Sequence, residues 1–175
     1  MKQPLAFRMR PQHLDDIIGQ QHLIGEGKVL RKCLEAKRLF SMIFYGPPGT
    51  GKTTLAMVLA NELGMPYRLF NAVTGNKKDL ETIFQEAKFY EGLVVIIDEV
   101  HRLNKDKQDL LLPHVENGNI TLIGATTSNP LHAINPAIRS RCHLFEIKQA
   151  QQEDIEKALL KAIQHPDGLN NEVSI

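Results

Sequence analysis

Residues 46–53 read Gly-Pro-Pro-Gly-Thr-Gly-Lys-Thr, the most informative stretch of the sequence. It follows an apolar run, Met42-Ile43-Phe44-Tyr45, that predicts a short buried strand. The segment 54–63 behind it is apolar-rich and long enough for a helix, and Gly64 and Pro66 then supply helix stop signals. Phosphate-binding loops occur between a strand and a helix in this order, so the stretch predicts such a loop rather than an accidental turn.

The physical chemistry of this loop is anion binding. Its glycines allow the backbone to curl until the N–H groups converge on phosphate oxygens, and the following helix adds the positive end of its dipole. Lys52 supplies a cation for the β- and γ-phosphates, and the Thr53 hydroxyl is placed to ligate Mg²⁺. The predicted nucleotide-binding residues of the loop are Gly46, Pro47, Pro48, Gly49, Thr50, Gly51, Lys52, Thr53 and, as a less direct neighbour, Thr54.

The bulk properties are those of an ordinary globular protein. The chain has 175 residues, of which 42% are hydrophobic and 23% charged, and this is enough for one α/β domain with a small appendage. Its net charge of +1 does not by itself imply a polyanionic partner. Cys33 and Cys142 stand in no metal-ligand spacing and are interpreted as reduced thiols. With no signal peptide or membrane-length apolar run, we expect a cytoplasmic protein.

Strands and helices alternate along the sequence, which predicts a parallel sheet with helices on both faces. The predicted strands are 42–45, 67–70, 93–97, 120–124 and 144–147. The predicted helices are 28–40, 54–63, 77–90, 104–117 and 153–163, with Asn104 as a cap and a kink or break near Leu112 because of Pro113. Since ligands bind at the carboxyl ends of parallel strands, Gly46, Asp98 and Thr127 should converge on one edge.

Two carboxylates close the third predicted strand. Asp98 is predicted to hold Mg²⁺ through a water, and Glu99 is predicted to orient and polarise the water that attacks the γ-phosphate. A protein that only binds nucleotide, or passes a phosphoryl group to a small molecule, does not need the second carboxylate, so the pair favours hydrolysis. The alternative, two acidic residues ending a strand by chance, is weakened by the upstream loop.

Polar residues also follow the fourth predicted strand. Thr127, or alternatively Thr126 or Asn129, could hold the attacking water or sense the γ-phosphate. The other interpretation is a threonine-rich strand exit that makes local turn hydrogen bonds. Arg139 and Arg141 could stabilise transition-state charge, in the same chain or from a neighbouring subunit. From the residues alone, a solvated basic turn explains the two arginines better.

Two further groups of residues are ambiguous. Ile17 and Ile18 could line an adenine pocket or simply pack against the core, and both interpretations remain open. The histidines form no metal-binding pair with a carboxylate or cysteine at helical spacing. His101 and His114 are interpreted as helix-boundary and core-flanking residues.

Taken together, these motifs resemble those of the AAA+ ATPases. GPPGTGKT is similar to their Walker A motif, LVVIIDE (93–99) to Walker B and GATT (124–127) to the first sensor strand. The resemblance implies ATP and Mg²⁺ as ligand and cofactor. Ser140-Arg141-Cys142 resembles the SRC motif of the clamp-loader clade, which implies that Arg141 is a finger reaching the ATP of a neighbouring subunit. Arg139 is then the secondary candidate.

Longer stretches resemble the replication-associated recombination ATPases, the bacterial relatives of the Werner-helicase-interacting ATPases. They are PLAFRMRPQHLDDIIGQQHLIGEG (4–27) and DEVHRLNKDKQDLLLPHVENGNITLIGATTSNP (98–130). This resemblance implies a DNA-dependent ATPase that acts at stalled replication forks and is associated with the nucleoid. The partners that it implies are single-stranded or fork DNA and single-stranded DNA-binding protein. It also implies that several copies of the chain associate as a tetramer. It also places Arg8, Ile17 and Ile18 at the adenine pocket.

The family's core continues into a helical lid with a second sensor arginine and an oligomerisation domain. We therefore interpret 1–150 as the AAA+ nucleotide-binding domain and 151–175 as the beginning of a lid, and expect this chain to bind nucleotide but hydrolyse it weakly. Two alternatives remain: a branch-migration motor of the RuvB type, and a nucleotide-gated scaffold or clamp-loader-like switch with little hydrolysis.

Overall fold

Five parallel strands form the sheet at the centre of the computed structural model, which describes residues 4–5 and 10–169. The strands are β1 (Met42–Tyr45), β2 (Tyr67–Asn71), β3 (Leu93–Asp98), β4 (Ile120–Thr126) and β5 (His143–Glu146). Their spatial order is β2-β3-β4-β1-β5, so β1 lies between β4 and β5, and all four strand pairs are parallel. The predicted sheet is confirmed, with each predicted strand at its expected place.

Helices cover both faces of the sheet. They are α1 (Gln21–Ile24), α2 (Val29–Ala36), α3 (Lys52–Glu62), α4 (Lys77–Ala87), α5 (Lys105–Glu116), α6 (Pro130–Ala133), α7 (Pro136–Arg139) and α8 (Gln152–Gln164). Two 3₁₀ turns, Leu14–Asp16 and Val100–Arg102, complete the described elements. The predicted helices are found with ends that differ by a few residues, because the last residues of a helix depend on capping rather than on periodicity.

Alternating residues of the strands enter two separate hydrophobic clusters. One cluster lies between the sheet and α4 and α5, and its strand residues include Ile43, Val95, Ile97 and Leu122. The other lies between the sheet and α2 and α3, and its strand residues include Phe44, Val94, Ile96 and Ile123. The strand period of two therefore places one apolar set on each face, which explains why β3 is apolar along its whole length.

Side-chain caps begin two of the long helices. The Asn76 Oδ1 accepts a hydrogen bond from the Asp79 amide at 2.8 Å and begins α4. The predicted Asn104 cap of α5 is confirmed, because its Oδ1 accepts from the Lys107 amide at 2.9 Å. Each cap satisfies one of the amides that a helix leaves without an internal partner at its start.

The sequence predicts a kink or a break near Leu112; the break is wrong, and the kink stays a prediction. Helix α5 continues through Pro113 to Glu116, and the Asn117 amide donates to the Pro113 carbonyl at 3.0 Å. Pro113 lies in the last turn, where its missing N–H removes a single helical hydrogen bond, to the carbonyl of Asp109. Asp109 is exposed, so water can satisfy that carbonyl.

The described part of the amino-terminal segment is tied to three distant elements. Glu62 at the end of α3 accepts from the Leu14 amide at 2.8 Å, and Lys161 of α8 pairs with Asp16 at 2.7 Å. The buried Gln20 side chain makes two hydrogen bonds with the backbone of Lys148, at 2.6 and 2.9 Å. These contacts hold the segment beside the phosphate-loop helix and the exit of β5.

Helix α8 carries exposed apolar side chains. Ile155, Leu159 and Leu160 are each about half exposed. The division of the chain into a domain at 1–150 and the start of a lid at 151–175 stays a prediction. Within residues 4–5 and 10–169, none of the helices is both long and apolar enough to cross a membrane.

Gly46 lies where β1 and β5 end side by side. Its amide donates to the Thr126 carbonyl at 3.2 Å, and the Ile147 amide donates to the Tyr45 carbonyl at 2.7 Å. A Cβ at Gly46 would lie 2.0 Å from the Ile147 carbonyl oxygen, far inside van der Waals contact. Glycine is therefore required here for the close approach of two backbones.

We expect Gly46→Ala to lower the free energy of unfolding by roughly 3 kcal/mol or more, because the new methyl forces β1 and β5 apart. The measurement is urea unfolding followed by circular dichroism. Gly64→Ala is the control, since Gly64 has a positive φ of 64° but open space around it. The control should lose only about 1–2 kcal/mol from backbone strain. Equal losses in the two variants would contradict the packing argument.

Candidate functional site

The carboxyl ends of β1, β3 and β4 surround a cavity of about 250 Å³. Its lining consists of residues 48–54, Asp98 and Glu99 at the end of β3, and Thr126 and Thr127 at the end of β4. The predicted convergence of the loop, the carboxylates and the threonine on one edge is therefore present. Gly46 and Pro47 are not part of this lining, but their carbonyls accept hydrogen bonds from the Lys52 ammonium.

The glycine-rich loop has the backbone conformation that its sequence predicts. Gly49 and Gly51 have φ angles of 73° and 80°, in the region that favours glycine, and nothing crowds their missing side chains. Gly51 is the N-cap residue of α3, so the first amides of that helix face the loop. Helix amides and a curled loop together form an anion-binding cradle.

Lys52 is a buried cation in the floor of this cradle, with 8% of its surface exposed. Its ammonium donates to the carbonyls of Gly46 and Pro47 at 2.9 and 2.7 Å and to the Thr50 hydroxyl at 3.3 Å. Burial lowers the pKa of Lys52, while the negative charges of Asp98 and Glu99 act in the opposite direction. The cation is thus held by neutral oxygens that an anionic ligand can replace.

The two carboxylates differ in backbone conformation. Asp98 is the last residue of β3, opposite Ala125 of β4 and Asn71 of β2. Glu99 has a φ of 56°, so the chain turns sharply after the strand, and its amide donates to the Asp98 Oδ1 at 2.9 Å. A left-handed backbone at a non-glycine residue is strained and often marks a functional position. The turn directs both acidic side chains to the cavity.

The two threonines at the end of β4 have different environments. Thr127 is exposed in the cavity wall, whereas Thr126 is 1% exposed. The Thr126 hydroxyl lies 2.7 Å from the His101 Nδ1 and accepts from the Ser128 amide at 3.0 Å. Asn129, the third candidate, is the N-cap of α6 and accepts from the Leu131 amide at 3.0 Å. Thr127 is therefore the one of these three candidates whose side chain is both exposed and part of the cavity lining.

His101 is the residue that the sequence interpretation missed. It was expected to be a helix-boundary residue, and it does lie in the 3₁₀ turn Val100–Arg102, but its ring contacts two residues of the cavity lining. Besides Thr126, its Nε2 lies 3.6 Å from the Glu99 Oε2. The only local signal was its position three residues after Asp98, which does not reveal a partner on another strand.

The two candidate arginines have different roles within this chain. Arg139 donates to the backbone carbonyls of Leu131 and Pro130, at 2.7 and 3.4 Å, and holds α6 against α7. The Arg141 side chain is 53% exposed and lies 3.5 Å from the Glu116 carboxylate of α5. Neither arginine belongs to the lining of the cavity. Arg141 is the one that a second molecule can reach.

The residues predicted for an adenine pocket do not line the cavity. Ile17 is half-buried against the core cluster beneath α3, and Ile18 is 46% exposed. Arg8 lies outside the described residues. A second cavity of about 480 Å³ adjoins the first and shares Thr54 with it. Its other lining residues are Arg10, Pro11, Gln12, His13, Met57, Val58, Asn61, Glu62 and Tyr67.

With this geometry in place, the chain can be compared with known proteins. The family model of the ATPases associated with various cellular activities (AAA) matches residues 42–153. The chain belongs to the AAA family of ATPases. The match includes the loop, both carboxylates, the threonines and both arginines, so every AAA+ motif expected from the sequence lies within it.

Among proteins of the AAA family, the chain is homologous to replication-associated recombination protein A. It is 56% identical over 160 residues to that protein of Bacillus subtilis, covering 91% of this chain and 38% of the relative. It is 46% identical over 166 residues to that of Escherichia coli, covering 93% and 37%. The chain therefore spans less than half the length of these relatives.

Among solved structures of AAA proteins, the RuvB Holliday junction branch migration motor of Thermotoga maritima is similar. The TM-score is 0.76 at 31% identity, and the similarity covers 90% of this chain and 54% of that one. The similarity confirms the AAA+ fold for the nucleotide-binding portion.

The backbone at Glu99 predicts an unusual order of stability between two variants. Because φ is 56° there, Glu99→Gly should be more stable than Glu99→Ala by about 1 kcal/mol. At a helical position such as Glu81 in α4 the order should reverse by about the same amount. Chemical denaturation of the four variants measures both differences. Equal stabilities of Glu99→Gly and Glu99→Ala would contradict the left-handed backbone conformation at Glu99.

Proposed function

We propose that this chain is the nucleotide-binding core of a DNA-dependent ATPase in replication-fork maintenance and recombination. The observation that carries the proposal is the meeting of Lys52, Asp98, Glu99 and Thr127 in one cavity at the carboxyl edge of the sheet. Homology to replication-associated recombination protein A supports the biological setting.

The cavity residues fit Mg-ATP. The amides of residues 49–51 and of the first turn of α3 suit phosphate oxygens, and Lys52 can exchange its carbonyl partners for them. Thr53 and Asp98 are oxygen donors in the same cavity, the ligand type that Mg²⁺ prefers. When bound, Mg²⁺ supplies charge neutralisation for the phosphates. The second cavity, which begins at Thr54, would take the nucleoside portion of ATP.

Glu99 is the proposed general base of hydrolysis. A carboxylate placed in the cavity can accept a proton from the attacking water and orient it, and Thr127, which follows the neighbouring strand β4, can hold that water. The left-handed backbone at Glu99 directs its side chain to the cavity rather than along β3. Asp98 and Glu99 therefore take separate roles although they are neighbours in sequence.

Arg141 is the proposed finger for the site of a neighbouring subunit. It lies outside the cavity of its own chain and its side chain is half exposed, whereas Arg139 is occupied by backbone carbonyls. An arginine supplied in trans can stabilise the charge of the phosphoryl-transfer transition state. The proposed active assembly is thus an oligomer, a tetramer of the full-length protein, in which each site is completed by the next subunit.

The nucleic-acid partner and its setting are proposed from the relatives. The names of the relatives indicate action in replication-associated recombination, and we propose single-stranded or fork DNA, single-stranded DNA-binding protein and a nucleoid-associated location. A branch-migration motor is the second candidate, favoured by the structural similarity to RuvB. The higher identity to the recombination proteins favours the first, and four-way-junction unwinding by the full-length protein would favour the second.

We expect Glu99→Gln to bind ATP as the wild type does. Its rate of hydrolysis should be lower than that of the wild type by about 100-fold or more, because general-base catalysis is lost. Single-turnover hydrolysis with the chain in excess over labelled ATP measures the rate even when turnover is slow. Hydrolysis retained at the wild-type rate in Glu99→Gln would refute the base assignment, whereas a negligible rate in the wild type itself would favour the scaffold alternative.

Lys52→Ala should instead weaken ATP binding by about 10- to 100-fold, since hydrogen bonds to charged groups contribute roughly 1.5–3 kcal/mol. Fluorescent-nucleotide titration measures this affinity. The control is Lys88→Ala, which removes an exposed lysine at the end of α4 and should leave the affinity unchanged. Equal affinities of the Lys52 and Lys88 variants would count against the phosphate cradle.

Under conditions in which subunits associate, Arg141→Ala should lower the rate of hydrolysis about 1,000-fold. This value is at the lower end of the range of arginine-finger effects. Mixing this variant with Glu99→Gln should recover activity, because one chain then supplies Glu99 and the other supplies Arg141. The exposed Arg38 of the α2–β1 connection provides the control Arg38→Ala, which should match the wild type. Hydrolysis that is unaffected by Arg141→Ala, under conditions in which sedimentation shows association, would exclude the finger.

A further inference from the structure

The His101 side chain contacts both the last residue of β4 and Glu99. The Ser128 amide donates to the Thr126 Oγ1 at 3.0 Å, and this hydroxyl lies 2.7 Å from the His101 Nδ1. The opposite ring nitrogen, Nε2, lies 3.6 Å from the Glu99 Oε2. The imidazole is therefore placed between the last residue of β4 and the proposed base.

The direction of these hydrogen bonds follows from the burial of Thr126. Its hydroxyl is 1% exposed, and it already accepts from the Ser128 amide. Its own proton needs an acceptor, and within the described part of the chain the acceptor in reach is the His101 Nδ1. A neutral imidazole that accepts at Nδ1 carries its proton at Nε2. That N–H is the group that faces the Glu99 carboxylate.

The packing beneath the turn keeps His101 in this position. Val100 packs on Gly124 of β4, where an added Cβ would lie 3.0 Å from the nearest Val100 methyl carbon. The Arg102 amide donates to the Glu99 carbonyl at 2.8 Å and closes the 3₁₀ turn between them. The side chain of His101 is only 14% exposed, whereas that of Glu99 is 35% exposed. The ring is thus fixed, and the carboxylate beside it retains freedom to move.

We infer that His101 is a positioning residue for Glu99, which it holds through Nε2–H while Thr126 fixes the tautomer of its ring. The inference rests on the proposed role of Glu99 as base. At 3.6 Å the two groups are close but not hydrogen-bonded, and the Glu99 carboxylate remains in the lining of the cavity. Thr126 is the last residue of β4 and Thr127 follows it directly, so the same strand end carries the partner of His101 and a residue of the cavity wall.

Histidine tautomers can be measured without any enzymatic activity. In the ¹⁵N-histidine-labelled chain at pH 8, long-range proton–nitrogen correlation should show His101 with its proton on Nε2 and a bare Nδ1. In Thr126→Val, which keeps the shape of the side chain but removes the hydroxyl, the two tautomers should mix. A proton on Nδ1 in the wild type would overturn the inference, whether or not the chain hydrolyses ATP.

The second test separates positioning from general structural damage. His101→Ala should lower the single-turnover rate about tenfold, as loss of an orienting partner does, and leave the ATP dissociation constant unchanged. His101→Gln, whose amide can donate toward Glu99, should recover most of the rate, whereas the shorter His101→Asn should not. His132→Ala is the control, because His132 is exposed on α6.

A double-mutant cycle completes the design. In a Glu99→Gln background, His101→Ala should have no further effect on the residual rate, because the carboxylate it positions is gone. Equal losses in both backgrounds would assign His101 a purely structural role and overturn the inference. A wild-type rate no higher than that of Glu99→Gln would instead refute the proposed function, and the tautomer measurement would still decide the geometry of His101.

Discussion

All five strands run in the same direction, and the site depends on this constraint. Parallel strands bring their carboxyl ends to one edge, so a loop after β1, two carboxylates after β3 and a threonine after β4 meet although they are far apart in sequence. Two glycines allow close packing at that edge. The backbone of Gly46 lies against that of Ile147, and Gly124 lies against the Val100 side chain. A side chain at either glycine would separate the elements that form the cavity.

Charge is the second feature that organises this edge. Lys52 is buried among neutral carbonyl oxygens, and this burial lowers its pKa, while Asp98 and Glu99 oppose the change. A cation and two carboxylates thus share one small cavity without a direct ion pair between them among the described contacts. The arrangement leaves the lysine able to exchange its partners for phosphate oxygens, and the glutamate able to accept a proton.

The comparisons agree on the fold, and the two candidate functions come from relatives that differ in their identity to this chain. The RuvB structure covers the chain at 31% identity, whereas the recombination protein of Bacillus subtilis reaches 56%. Both comparisons involve a nucleotide-binding portion, since the chain spans 38% of the recombination protein and 54% of RuvB. The nucleotide site is therefore the part of the proposed function that the described residues can support directly. The DNA partner is supported by the relatives.

The sequence by itself determined the phosphate loop, the strands, the helix cap at Asn104 and the positions of Asp98 and Glu99 on the strand end. These features depend on backbone conformation and on neighbours within a few residues, which a single sequence displays. It left a kink and a break open at Pro113, and the break was wrong because this proline lies in the last turn of α5. The tertiary structure was needed to show that the backbone at Glu99 is in the left-handed region and that the Ile18 side chain is half exposed. It was also needed to show that His101 lies between Thr126 and Glu99. Those contacts depend on which strands are neighbours and on how the turn after β3 packs on β4, and side-chain hydrogen bonds across such distances leave no periodic signal in the sequence.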